Sequence, residues 1–200
     1  MRKILSQKFF NRPTLIVAKD LLGKFLVRRF PKNAYRRGQN KTRTGTDKFL
    51  TGMIMEVEAY IGPYDKASHA SRGKTERTKV MFGKPGHWYV YLIYGMYYCL
   101  NIVTEKENYP AAILIRSVLV EGPASPKGGR ALQRGVYGPG RVSKCFKIDK
   151  RFNEKPASIK TGLWIENGNI KINPRLIKRG KRIGVDYAGK WKNKLWRFYI

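Results

Sequence analysis

The sequence predicts an α/β chain of the α+β kind: a single domain with a curved, mainly antiparallel β-sheet flanked by helices. Three observations lead there. At 200 residues and 42% hydrophobic content the chain can bury one core, and it is too apolar for a disordered basic tail. Its strongest patterned segments, Trp88–Tyr94 (WYVYLIY) and Ala111–Val120 (AAILIRSVLV), are rich in β-branched and aromatic residues, the composition of strands. No repeat, low-complexity tract or shift in composition divides residues 1–200 into separate units.

The elements follow in order. Thr14 is placed to cap a short helix over LIVAKDLL, which Gly23 ends. Phe25–Phe30 (FLVRRF) reads as a strand. Ala34–Lys48 is polar, basic and glycine-containing, a basic loop insertion between two strands. Its charge either touches phosphates or is only solvated. Met53–Tyr60 (MIMEVEAY) is the next strand, broken by Gly62-Pro63. A polar stretch follows with His69 and the cations Arg72, Lys74, Arg77 and Lys79. After the two strong strands, Pro123–Tyr137 reads as loop. Gly138-Pro139-Gly140 opens a helix over Arg141–Ile148, and either offers N–H groups to a phosphate or only turns the chain. Gly162–Ile172 is expected to be a hairpin around Asn167-Gly168, and the C-terminus a turn followed by a strand.

Composition limits the function. With 42 Lys plus Arg against 13 Asp plus Glu, the formal net charge is +29. Twelve Tyr, nine Phe and four Trp accompany it, so cations to track phosphates and rings to meet bases are both present. A membrane surface or a heparin-like polyanion would satisfy the charge alone. The two cysteines, Cys99 and Cys145, form no CxxC pair, which argues against a disulfide framework or a structural zinc site. Two histidines, His69 and His87, do not make a His-rich metal centre. The basic start lacks a continuous apolar stretch before Asn11, so no secretory signal is expected. Trp88–Val103, broken by Gly95 and five tyrosines, is too short and polar to span a bilayer. The expectation is a soluble protein, cytoplasmic and nucleoid-associated in a bacterium or nuclear in a eukaryote.

Two carboxylates in an apolar strand of so basic a chain need a reason, because ionised groups resist desolvation and repel nucleic acid. Alternation puts Ile54, Glu56, Glu58 and Tyr60 on one face, and Tyr89 with Tyr91 on another strand's face. Arg116 interrupts the apolar run Ala111–Val120, and a buried guanidinium needs an anion. Glu58 with Arg116 is the natural pair. It is either a salt bridge between strands or, beside aromatic side chains, a carboxylate that activates water. Either Glu56 or Glu58 can be the structural one.

Several blocks in the right order identify a resemblance: LSQKFFNRPTLIVAKDLLGKFLVRR, EVEAYIGPYDKASHASRG, MFGKPGHWYVYLIYGMYYCLNIV, AAILIRSVLVEG, GPGRVSKCFKI and RIGVDYAGKW…LWRFYI. The chain resembles the alkyladenine (3-methyladenine, N-methylpurine) DNA glycosylases from about Leu5 to Ile200. The stretch 34–48 is longer than the family pattern calls for, which leaves the DNA footprint open. The resemblance implies a monofunctional base-excision-repair enzyme. It would flip alkylated or deaminated purines from double-stranded DNA and hydrolyse the N-glycosidic bond, without metal or organic cofactor and as a monomer. By motif, Glu58 matches the general base, Arg116 a residue that helps to hold the attacking water, and the Val185 carbonyl a third water ligand. Tyr60, His69 and Tyr91 match the walls around the flipped base, and Tyr94 the residue that intercalates into DNA. Asn101 matches the position that disfavours normal guanine. The rival reading is a non-catalytic basic nucleic-acid-binding protein.

Overall fold

A computed structural model describes residues 2–31, 47–121 and 133–200. Most of the basic stretch 34–48, and the first ten residues of 123–137, lie outside the described residues. The strands are β1 (Lys3–Ile4), β2 (Phe25–Phe30), β3 (Lys48–Ile61), β4 (Trp88–Ile93), β5 (Tyr97–Val103), β6 (Ala111–Glu121), β7 (Gln133–Tyr137), β8 (Leu163–Asn167), β9 (Lys178–Gly180) and β10 (Arg197–Tyr199). The α-helices are α1 (Gln7–Phe10), α2 (Thr14–Leu21) and α3 (Pro139–Cys145), with several short 3₁₀ turns between elements. All strands join one antiparallel sheet in the order β1-β8-β2-β3-β6-β5-β4, the fold class that the sequence predicts.

The sheet branches at its two longest strands. β3 pairs with β2 along Lys48–Met53 and with β10 along Glu56–Glu58, while β6 runs down its other edge. β6 in turn pairs with β5 near its start and with β7 near its end. At the branch the β3–β6 register shifts twice. Ile54 faces Val118, Glu56 faces Ser117 and Val57 faces Ile115, so Met55 and Arg116 each lack an opposite residue. Such bulges break the period of two and bend a strand. That corrects one expectation. Ile54 joins Val57 and Ala59 in the main core, whereas Glu56, Glu58 and Tyr60 point the other way, toward Arg116.

The main core lies on the helix-bearing face, where Val17, Leu21, Val142 and Phe146 pack on Leu26, Ile54, Ile113 and Ile115. Burial of large apolar side chains such as Trp88, Phe146 and Phe198, each worth ~2–3 kcal/mol, supplies the drive for this layer. On the opposite face, residues 62–87 and 182–196 cover the β3–β6–β5–β4 half. Small apolar clusters hold them there: Ala70, Val80 and Met81 on Tyr89 and Ala112, and Ala67, Val185 and Ala188 beside Tyr60.

Four local expectations are corrected. Pro13, not Thr14, holds the capping position of α2. The Thr14 hydroxyl meets Thr104 and Glu105, and Gly23 ends the helix with φ +77° as expected. The end of the expected loop 123–137 is strand β7, because Val136 buries against β6. Helix α3 starts two residues early, with Pro139 in its first turn and Gly138 at φ +94° before it. Gly162–Ile172 is not a hairpin: Leu163–Asn167 pairs with β1 and β2 instead. Gly168 is there for close approach, since a Cβ would sit 2.3 Å from the Phe25 ring.

Candidate active site

A cavity of about 390 Å³ opens between the β3–β6–β5–β4 half of the sheet and the segments that cover it. Tyr60, His69, Tyr91, Tyr94, Asn101, Arg116 and Val185 all line it, so residues spread from 60 to 185 converge on one space. Glu58 is the exception. It is completely buried behind the wall and is held by three groups, two of which line the cavity with their side chains.

Glu58 accepts at Oε2 from the Tyr60 hydroxyl (2.9 Å) and from Arg116 Nη1 (3.2 Å), and at Oε1 from the Ile183 backbone N–H (2.8 Å). Burial pushes its carboxyl above the ordinary glutamate value, and Arg116, Ile183 and Tyr60 offset only part of that. The pull of Arg116 is real, but desolvation outweighs it. Glu56 behaves oppositely. Burial pushes it up too, but the Ser117 hydroxyl at 2.5 Å, Arg197 at 3.0 Å and Arg116 at 3.4 Å outweigh burial and hold it low. Neighbouring carboxylates with environments pushed apart are how one strand separates a structural anion from a reactive one. The Arg116 Nε faces Glu56 without hydrogen-bond geometry, so its firm bond is the one to Glu58.

The aromatic wall is rigid. The His69 ring stands edge-on to Tyr91, with centroids 4.7 Å apart, and its Nδ1 bonds the Tyr89 hydroxyl at 2.9 Å. Burial and the charges of Arg77 and Arg72 bring His69 down to about 4, so it is a neutral ring at physiological pH. Tyr60 and Tyr91 are held well above the usual phenol range, mainly by burial, and stay protonated. Asn101 is buried and donates its amide to the carbonyls of Tyr89 and Cys99, which leaves its Oδ1 as the acceptor to present. The β4–β5 turn carries Tyr94 at 81% exposure, with φ +52° at Tyr94 and +66° at Gly95. An aromatic ring in the left-handed region is costly for the backbone and is kept only where something else fixes the turn. Tyr89 is buried and also lines the cavity, whereas Tyr97 is 45% exposed.

Two features escaped the sequence reading. One is the Ile183 N–H, a backbone donor that no residue type reveals. The other is the ion pair Arg182–Asp65, whose side chains are both fully buried. Arg182 donates to both Asp65 oxygens (2.5 and 2.8 Å) and to the Ala59 and Trp191 carbonyls, and lies 4.8 Å from the Tyr60 ring centroid. The RIGVDYAG and GPYDKASH blocks contain both partners, but nothing in them says that they meet. Val185 starts the 3₁₀ segment Asp186–Asn193. Its carbonyl accepts from Ala188 N–H at 3.0 Å, which uses one of two lone pairs. Among the described residues, no cluster of His, Cys, Asp and Glu is arranged to hold a metal ion, and no helix is long and apolar enough to cross a membrane.

A buried carboxylate behind an aromatic cavity, in a chain of net charge +29, fits the class of enzymes that act on nucleic acid. Comparison with known proteins carries this further. The family model for methylpurine-DNA glycosylase matches residues 8–200. A protein of Legionella pneumophila (strain Paris) is 42% identical over all of this chain and 95% of its own length. One from Methanocella arvoryzae is 45% identical over 98% of this chain and 92% of its own. One from the Wolbachia of Brugia malayi is 42% identical over 99% and 98%. All three are named, provisionally, as 3-methyladenine DNA glycosylases. The chain belongs to the methylpurine-DNA glycosylase family: it is a hydrolase of DNA repair whose substrate is DNA. The rival reading of a non-catalytic binder is set aside.

Proposed function

We propose that this enzyme flips alkylated or deaminated purines out of duplex DNA into the cavity and hydrolyses the N-glycosidic bond with a water activated by Glu58. The observation that carries the reading is the placement of Glu58: fully buried, pinned by three donors, and set directly behind Tyr60, Arg116 and Ile183, which line the cavity. Only a ligand that leaves its own stack can fill a pocket of this depth, and base flipping costs least where a base is damaged. In this reading Tyr94 enters the gap left in the duplex. The base stacks between Tyr60, His69 and Tyr91, whose faces favour a purine made cationic by alkylation.

The water sits near Glu58, Arg116 and the free lone pair of the Val185 carbonyl. Its oxygen attacks C1′ of the sugar while Glu58 takes its proton. The bond to the base breaks with its electron pair going to the purine, so a cationic 3-methyladenine or 7-methylguanine leaves as a neutral molecule. Ethenoadenine and hypoxanthine are neutral and need a proton to leave well. His69 holds none at physiological pH, so these are the slower substrates. By the resemblance Asn101 is the position that disfavours normal guanine, and here its side chain is buried and fixed by its bonds to the Tyr89 and Cys99 carbonyls. One cavity handles one lesion, and a monomer suffices.

The test is excision from labelled duplexes containing 3-methyladenine or ethenoadenine, with hot alkali to reveal abasic sites. Alkali-dependent breaks by wild type, lost in Glu58→Gln with lesion binding retained, support the reading. Breaks without alkali, or a borohydride-trapped adduct, overturn hydrolysis by water.

A further inference from the structure

A second groove, of about 580 Å³, lies between β2 and the segment 151–162, away from the cavity. Arg28, Arg29, Arg151, Lys155 and Lys160 line it, and no carboxylate does. The two nearby acids pair with two of the groove's own arginines and leave Arg28, Lys155 and Lys160 to face it. Asp149 is chelated by Arg151, with three hydrogen bonds of 2.7–3.1 Å from its side chain, and Asp47 lies 3.8 Å from Arg29. Arg28 is fixed at the floor. One of its terminal nitrogens donates to the carbonyls of Arg29 and Gly162, and its guanidinium lies over the Phe152 and Phe30 rings at 4.6 and 4.9 Å. Its Nε is buried and has no hydrogen-bond partner. Burial and the neighbouring Arg151 and Arg29 charges pull Arg28 below its usual range, and Asp149 offsets only part of that. The hydroxyls of Ser158 and Thr161 complete the lining.

The groove and the cavity share no lining residue and open on different faces of the sheet. Arg28 faces Leu50 across the β2–β3 pairing, eight residues before Glu58 along β3, about 26 Å of strand. It also lies on the other side of the sheet. Arg28 packs on Phe152 and Leu50 packs on the same main core, whereas Glu58 and Tyr60 face the cavity.

We propose that this groove binds the phosphate backbone of a second DNA segment, so that one protein holds a duplex at the cavity and another on the opposite face. Guanidinium and ammonium groups lining one groove together with the Ser158 and Thr161 hydroxyls suit phosphates and carry no means of reading bases. Two sites let the protein pass between segments without dissolving into bulk solvent. The proposal rests on DNA being the substrate, though not on the chemistry at Glu58.

The experiment uses the whole chain. A biotinylated lesion duplex is immobilised and loaded with protein, and capture of a second, labelled, undamaged duplex is measured from 50 to 200 mM salt. The variant is Lys155→Gln/Lys160→Gln, both exposed and neither lining the cavity; the control of equal charge change is Lys8→Gln/Lys106→Gln. The expected result is at least a tenfold loss of second-duplex capture, with a salt slope shallower by about 2. Single-turnover excision from one duplex should stay within twofold. Unchanged capture, or equal loss in the control, overturns the proposal. Loss of capture and excision together also overturns it, since the groove would then serve the first duplex. Capture without any excision by wild type would leave this groove standing and remove the reading of Glu58.

Discussion

Two buried arginine–carboxylate pairs stand side by side in this fold and are built differently. Arg182–Asp65 is closed: both carboxylate oxygens are taken by the guanidinium, two backbone carbonyls take further donors, and Asp65 also accepts from the N–H groups of Ile61 and Ala67. Arg116–Glu58 is open: one direct bond of 3.2 Å, at the edge of a cavity, with burial pushing the carboxyl upward. In the closed pair both carboxylate oxygens are bound by the guanidinium. In the open one burial outweighs the single arginine bond and raises the acid, which favours taking a proton. The two are mechanically linked, because the residue after Arg182 is Ile183, whose N–H holds Glu58. The closed pair fixes the backbone that aims the open one.

That contrast can be broken from either side. Glu58→Gln should have the largest effect, a loss of excision of about 10³–10⁴-fold in single-turnover assays with lesion binding kept. Its thermal stability at pH 7 should hold or rise, since an ionised buried carboxylate is removed. Asp65→Ala should act the other way. It strands a buried guanidinium, so urea unfolding should show about 3–5 kcal/mol of lost stability, and excision should drop as Ile183 loosens. An Asp65→Ala variant of wild-type stability would mean that the pair is not closed.

Smaller changes sharpen the comparison. Tyr94→Gly relieves an aromatic residue held at φ +52° and should gain about 1 kcal/mol in denaturant melts, yet lose roughly 10–100-fold in excision if the ring stacks in the duplex. The smallest expected effect is in pH. Glu58 is raised in the fold, so its contribution favours folding at low pH and is lost as pH rises from the unfolded value through the folded one. Glu56 is lowered, so its contribution is present above the ordinary glutamate value and disappears as pH falls through the folded one. The acid limb of excision should therefore lie above 4.5, and Glu58→Gln should remove the first stability trend while leaving the second. An acid limb below 4.5 would assign the base to Glu56.

Much of this was legible in the residues. Two acids in an apolar strand and an arginine in another pointed to a buried pair, and the family blocks named the cavity residues, all of which the fold brings together. What stayed hidden has physical causes. Alternation assigned Ile54 to the wrong face because bulges are set by pairing between strands, not by either strand alone. Arg182 and Asp65 meet across 117 positions, a distance over which no local pattern operates. Asn167-Gly168 has turn chemistry, but edge pairing with β1 and packing against Phe25 decide its conformation. β7 was masked by glycine-rich sequence before it, and only its pairing with β6 makes it a strand.

The paired bulges at Met55 and Arg116 behave like two frameshifts of opposite sign. Along β3 the parity of inside and outside switches once, at Met55, so that Ile54 before it and Val57 and Ala59 after it share the core side. Deleting Met55 alone would keep those faces but leave the extra residue Arg116 on β6 without its counterpart. Deleting Met55 and Arg116 together would restore a regular ladder and a sound barrier of apolar residues, with the guanidinium gone. A laboratory could use that double deletion as a silent scaffold: the same architecture, with its tool removed.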